Sequence, residues 1–461
     1  MSPACTCPAT WLILIVTLSA TLAEPTTDTN RMVRPGLTAD RNLRQVWVDA
    51  TATGIGKFDP VEFFLIAEHS GHAYESIAVT PVMPSAIHQA LEFIGIPRGL
   101  PVDFNQHRYW PKGERVRITF VQGTNAGLRV ESLIMDRDTG KPLPASGLVF
   151  TGSRTTEITA LDPKPEYAAD TRSPNAIASN YNEPTTVLDV PWKAVQGEMY
   201  RRQTANPDHL FPSNTPLRIL LEPDRTDGKH RVVDLTLSLA PAPETAGATL
   251  ADIRFTIRTT TGTPPVENGS LTGALEYFTR LTREGHDPFV HITMDPALQL
   301  GAVKAAAEIL ASIDTETGIR VEPPEPGHLY IRAFLPDEQH RDRTRRPGQP
   351  WELYLVPSNG TVRATVVHLE PQWRDDTVFP DLDLTLAAVP SPTDLNRQMD
   401  ALGKGIPVIL VYAAPGITHG QLMAYLEPIR ERCRIIYVYV DEKPDVPTRP
   451  RRIPSIEPTT T

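Results

Sequence analysis

The sequence predicts an α+β fold: a strand-rich N-terminal domain followed by two small α+β sandwich modules in tandem. Three observations carry this. Proline supplies 46 of the 461 residues, about twice its average share of ~5%, which favours strands, turns and linkers over helical bundles. Short alternating apolar runs fill the first half. One order of elements, strand-helix-strand-helix-strand, then occurs twice, over 229–340 and 349–442.

Residues 1–23 carry no charged side chain, and Trp11 to Leu18 is an apolar run that closes in Thr21-Leu22-Ala23. This is the pattern of a cleaved secretory signal peptide. The run is short for a membrane span, so an uncleaved inner-membrane anchor is the lesser alternative. The mature chain is expected to be exported, periplasmic or extracellular, without a transmembrane helix. Cys5 and Cys7 leave with the signal, and Cys433 alone remains, so no internal disulfide is expected.

Residues 24–40 read as a flexible lead and 41–225 as the first domain. Its expected strands are Val46–Val48, Val61–Ile66, the region of Ile77 and Val79, Arg115–Phe120, and segments near 128–134, 147–152 and 217–222. Ser85 is the expected cap of a helix over 86–95, with Ile87, Leu91 and Ile94 on one face and Gly95 as its stop.

The first module opens with the Ile253–Arg258 strand. Leu271, Leu275, Phe278 and Leu281 stripe a helix ending near Gly285. Phe289–Met294 follows as a strand. Asp295 and Pro296 are read as cap and first residue of a second helix, striped by Val303, Ala306, Leu310 and Ile313 and stopped by Gly318. A closing strand is expected over 328–335. In the second module, strands at Glu352–Leu355 and Val362–Val367 precede a helix opened by Ser391-Pro392-Thr393-Asp394. A strand over Val408–Tyr412 leads to a helix capped by Thr418 and Gln421, and Ile435–Val440 closes the module. The arginine-rich stretch 336–350 reads as a linker and 443–461 as a disordered proline-rich tail.

The formal net charge of −10 excludes a dominant nucleic-acid role, because neutralising phosphates needs a basic surface. No G-x-S-x-G, Walker loop, H-E-x-x-H or C-x-x-C occurs in the mature chain. His69, His72 and Glu75 have a spacing that could offer two imidazoles and a carboxylate to zinc, but Gly71 between them marks a turn. Solvated turn residues are the favoured reading, with no resident metal or cofactor. Cys433 follows an apolar stripe and reads as a packing residue. Asn268 and Asn359 each precede a glycine and mark turns.

Two resemblances add to this. Tyr74-Glu75-Ser76-Ile77-Ala78-Val79-Thr80, Pro84 to Leu91, Pro111-Lys112-Gly113-Glu114, Phe150-Thr151-Gly152-Ser153, Tyr167-Ala168-Ala169-Asp170 and Val187-Leu188-Asp189-Val190-Pro191 resemble, in order and spacing, the YdjY-like family of exported bacterial proteins. That family has no activity to carry over. Glu75, Ser76, His88 and Asp170 match its pattern and are the candidate binding residues. Glu267 to Leu271, Asp287 to Asp295 and Gly318 to Val321 resemble the periplasmic domain of the ExbD/TolR family, and Ile406 to Tyr412 resembles its strand a second time. That family's membrane helix with its aspartate has no counterpart here. The resemblance implies a binding role toward envelope proteins or cell wall, with the two modules pairing inside one chain or the chain forming a homodimer. A free sheet edge in each module could take an extended peptide. The expected function is therefore a noncatalytic envelope adaptor. The alternative is an enzyme or metal-binding protein with its site near Glu75, Ser76, His88 and Asp170.

Overall fold

The computed structural model describes residues 29–156, 164–225, 230–259, 266–316, 319–335, 351–372, 381–440 and 446. The segments read as signal peptide (1–23) and arginine-rich linker (336–350), Gly318, and the segment read as a proline-rich tail (443–461, Val446 apart) lie outside the described residues. The composition is mixed, with strands predominating over helices.

The N-terminal half closes into a barrel. Its eight strands are β1 (Gln45–Ala52), β2 (Phe63–Ala67), β3 (Ser76–Thr80), β4 (Arg115–Val121), β5 (Leu148–Phe150), β6 (Ala176–Ser179), β7 (Leu188–Asp189) and β8 (Pro216–Pro223). They run around the barrel in the order β1-β8-β4-β5-β7-β6-β2-β3. Pairs Thr51–Val79 and Ala52–Ala78 return β3 to β1 and complete the ring. The alternation in the sequence places the interior. On β4, Val116, Ile118 and Phe120 are buried, while Arg115, Arg117 and Thr119 between them point to the other side of the sheet and are less completely covered. On β8, Leu217, Ile219 and Leu221 do the same. Truncating a side chain of this kind to alanine costs roughly 2–5 kcal/mol.

The strand expected near 128–134 is broken by a 3-10 turn over Val130–Leu133, and two further local expectations fail here. The segment read as a flexible lead is ordered from Asn30 onward. Arg31–Arg34 and Leu37–Asp40 form a hairpin, and the second arm pairs with β1 from Gln45 to Val48. Burial of Leu37 and Ala39 against the barrel supplies what their polar neighbours conceal. Helix α1 spans Pro84–Phe93, with Met83 at its cap position and proline in its first turn. Ser85 is thus inside the helix, and its amide donates to Asp170 Oδ1 at 2.9 Å. A carboxylate 85 residues away satisfies an amide that helices leave orphaned.

The second sheet comprises β9 (Val232–Pro241), β10 (Ile253–Thr259), β11 (Val266–Gly269), β12 (Asp287–Met294) and β13 (Arg320–Val321), in the order β11-β10-β9-β12-β13. Helix α2 (Leu271–Arg283), capped by Ser270 Oγ accepting from the Gly273 amide, precedes β12. Helix α3 (Leu300–Glu316) follows it. Asp295 does not cap α3. Its Oδ1 accepts from the Ala297 amide at 2.8 Å, forming a tight turn that delays the helix to Leu300.

The third sheet holds β14 (Phe334–Leu335), β15 (Trp351–Ser358), β16 (Thr361–Gln372), β17 (Asp381–Val389), β18 (Val408–Ala413) and β19 (Ile435–Val440), in the order β14-β19-β18-β15-β16-β17. Asn359 and Gly360 turn β15 into β16 with positive φ at both positions, 47° and 81°, the geometry that Asn-Gly hairpins favour. Helix α4 (Leu395–Leu402) and helix α5 (His419–Leu426) complete this part. Thr418 and Gln421 form the expected reciprocal cap on α5.

The expected closing strand at 328–335 is a correction. Only Phe334 and Leu335 are extended in a ladder, and they pair in parallel with β19 of the third sheet. The second sheet is closed instead by β13 against β12. Phe334 is buried in a core that both smaller sheets share, running from Leu235, Phe278 and Val303 to Trp351, Leu422 and Ile429. Crossing over covers the β19 edge at Val438 and Tyr439.

The barrel meets the second sheet through ion pairs, the one around Asp287 buried and the one at Asp234 partly exposed. Arg115 grips Asp287 with two hydrogen bonds of 3.0 and 2.9 Å. Arg320 Nη1 lies 3.3 Å from the same carboxylate. Arg108 bonds Glu322 at 2.9 Å and Lys112 bonds Asp234 at 2.5 Å.

Candidate functional site

The parallel strands β2 and β3 are joined by a turn that ends in a single 3-10 turn, Ala73–Glu75. The Glu62 amide donates to Glu75 O at 2.9 Å, which brings two carboxylates to one end of the barrel. Both are buried. Glu75 Oε1 accepts from His72 Nδ1 at 2.6 Å. The other ring nitrogen, Nε2, lies 2.9 Å from Ser173 Oγ. Burial pushes the Glu62 carboxyl above its ordinary range, the Gln196 amide pulls it down, and Glu75 adds to the rise. Gln196 Nε2 donates to Glu62 Oε2 at 2.9 Å. Tyr181 OH donates to Glu183 Oε2 at 3.3 Å, and burial drives its phenol strongly upward.

The other residues singled out from sequence do not join this cluster. Ser76 is fully buried, and its hydroxyl donates to Ala78 O at 2.9 Å, turned away from chemistry. His88 is buried on α1, with Nδ1 2.8 Å from Tyr167 OH and 3.1 Å from Gly152 O. Asp170 holds the start of α1. His69 is exposed. Among the described residues no group of three or more His, Cys, Asp or Glu is placed to share a metal ion, so the spacing of His69, His72 and Glu75 does not become a three-ligand set. Gly71 bends the turn between them. Cys433 is buried in the shared core, and burial pushes its thiol up to about 11.

Asp189 on β7 is fully enclosed, and burial raises its carboxyl well above the ordinary range. Asn182 Nδ2 donates to Asp189 Oδ1 at 3.2 Å and to the carbonyls of Val190 and Trp192, while its Oδ1 accepts from the Ala194 amide. This network ties down the chain from Asn182 to Ala194.

A second site lies where the barrel meets both smaller sheets. A cavity of about 550 Å³ is lined by Phe104, His107 and Tyr109 from a barrel loop, by Tyr330 and Arg332 ahead of β14, and by Arg430, Arg434 and Tyr437 around β19. His107 stacks on Tyr330 with centroids 5.7 Å apart and planes within 10°. Tyr109 lies 5.4 Å from Tyr330, and Lys193 Nζ sits 5.0 Å over the Tyr109 ring. Burial pushes the Tyr109 phenol up, with Arg332 opposing and Tyr437 reinforcing. Burial pushes His107 down, toward its neutral form. Arg434 is exposed at the rim. The volume suits a small ligand or one residue of a polymer, and the lining joins aromatic faces to guanidinium forks, which recognise carboxylates in pairs. Composition and periodicity gave no signal for this site, because its walls come from segments more than two hundred residues apart.

The chain matches no family model, no curated protein and no solved structure. No helix among the described residues is long and apolar enough to cross a membrane.

Proposed function

We propose that this protein is an exported, envelope-associated binding protein whose ligand is an anionic saccharide of the cell wall, held in the cavity between the barrel and the two smaller sheets. The observation that carries the reading is the cavity's lining. Tyr109, Tyr330 and His107 offer ring faces to the C–H faces of a sugar, while the exposed Arg434 at the rim offers its fork to a carboxylate. The net negative charge of the chain makes such a local cationic rim selective rather than generally sticky.

The reading also takes residues 229–340 and 349–442 as two copies of one ExbD/TolR-like module, paired inside one chain, behind a YdjY-like domain. What supports it is the strand order. With β14 set aside, β11-β10-β9-β12-β13 and β17-β16-β15-β18-β19 correspond strand for strand, and the two sheets share one core.

The test is co-sedimentation of the mature protein with purified peptidoglycan, with soluble anionic fragments as competitors. Retention that the fragments compete away, and that Arg434→Ala weakens by about tenfold, is the expected result. A pellet fraction equal to that of an unrelated acidic protein would sink the proposal.

A further inference from the structure

We propose that Ser173, His72 and Glu75 form an acyl-transfer centre on the barrel, separate from the binding cavity. The claim goes beyond binding and rests on three aligned groups. Glu75 Oε1 lies 2.6 Å from His72 Nδ1, and His72 Nε2 lies 2.9 Å from Ser173 Oγ. A carboxylate can only accept, so Nδ1 carries the ring proton and Nε2 presents its lone pair to the serine hydroxyl. That is the nucleophile-base-orienting acid relation of serine hydrolases, recognised by geometry rather than by order in the chain. The burial of the three groups is graded to suit: Glu75 is buried, His72 half-buried, Ser173 exposed. An orienting acid belongs inside, and a nucleophile has to be reachable. The Phe63 ring stands edge-on to the imidazole with centroids 6.2 Å apart, which restricts its rotation.

The surroundings define the substrate class. Glu62 and Glu183 lie close enough to act on one another's charge, and Tyr74 is 70% exposed beside Glu75. The exposed Tyr74 ring favours esters bearing a neutral aromatic group.

In the step, Ser173 Oγ attacks the ester carbonyl carbon while its proton passes to His72 Nε2. The bond from that carbon to the leaving oxygen breaks, and Nε2 returns the proton to the departing alcohol. Water then attacks the acyl-serine by the same route, giving the carboxylic acid and free Ser173. Pro174 follows the nucleophile and has no amide to offer a developing oxyanion. Turnover is therefore slow, and trapping of the serine is the sensitive readout.

The experiment treats the mature protein with a fluorophosphonate bearing a neutral aromatic group and maps the modified residue by peptide mass spectrometry. The expected result is label on Ser173, none in Ser173→Ala, and labelling about 100-fold slower in His72→Ala, with Glu75→Gln also slowed. Unchanged thermal unfolding of the His72 variant controls for folding. Ser173→Cys supplies an independent measure: its alkylation by iodoacetamide should be faster with His72 present than in the double variant. No label at Ser173, or equal rates with and without His72, overturns the proposal.

Discussion

Gln299 and Thr418 face each other in a single antiparallel bridge that joins the second and third sheets. The bonds around them are reciprocal. The Leu300 amide donates to Ile417 O at 2.8 Å, and the His419 amide donates to Leu298 O at 2.7 Å. Gly301 donates to Pro415 O at 3.0 Å, and Gly420 to Pro296 O at 2.9 Å. Leu300 and His419 each open a helix, so the first amides of α3 and α5, orphaned within their own helices, are satisfied by the turn before the other helix. Each half of the shared core thus completes the other.

Gly420 belongs to this contact and leaves no room for a side chain unless Pro296 shifts. A Cβ there would lie 2.8 Å from Pro296 Cβ and 3.1 Å from Pro296 O. Gly420→Ala should separate the two turns and cost about 1–3 kcal/mol, read as a lower urea midpoint. A variant as stable as the parent would show that the turns do not need this approach.

Acid should loosen the same junction. His419 stacks on His328 with centroids 5.5 Å apart. Burial and the neighbouring His328 push the His419 imidazole down from 6.5 to about 4, with Asp295 opposing. Burial and Arg430 push His328 down too, against Glu325, and its Nδ1 accepts from the Met294 amide at 3.0 Å. The folded pKa lies below the unfolded one, so the unfolded chain takes up the proton first. The stability from His419 is complete above pH 6.5 and falls as pH drops toward 4, by about 3 kcal/mol over the window. Unfolding at pH 7.5 and 4.5 should show a loss that His419→Gln reduces by about 2–3 kcal/mol. Equal losses in parent and variant would refute the assignment.

Asp287 should dominate the barrel-to-sheet contact. Its carboxylate serves both Arg115 and Arg320, and all three side chains are less than a tenth exposed. Asp287→Ala deprives two buried guanidinium groups of their shared counter-charge and should cost about 3–5 kcal/mol. Adding Arg115→Met should recover part of that loss. A single variant that unfolds at the parental urea concentration would show that the pair carries no net stability.

Much of the local structure was legible. The alternation of Arg115 to Phe120, the Asn359-Gly360 turn and the Thr418-Gln421 cap each depend on neighbours a few residues apart, where side-chain spacing and backbone preference decide the outcome. The helix over Leu271 and the β12 strand followed from the same rules. The errors came where a distant group overrode a local one. Ser85 has the right side chain for a cap, yet Asp170 supplies the acceptor. Asp295 precedes a proline as caps do, yet its carboxylate closes a turn instead. Residues 31–40 look polar and loose, yet two apolar side chains and an open strand edge order them.

The candidate site divides along the same line. Glu75 and His72 lie three residues apart, and their pairing follows from one tight turn, so the sequence by itself could mark them. Ser173 lies 101 residues from His72 and carries no motif, and only barrel closure brings it within reach. The aromatic and arginine cavity likewise needs the barrel loop, Tyr330 and β19 in register. What the sequence determined was therefore the local elements, the buried face of each strand, and the residue types available for chemistry. The closing of β3 onto β1, the crossing of β14 to the third sheet and the meeting of Ser173 with His72 were decided by tertiary structure. Such contacts depend on how whole apolar faces are buried together, and spacing along the chain does not record it.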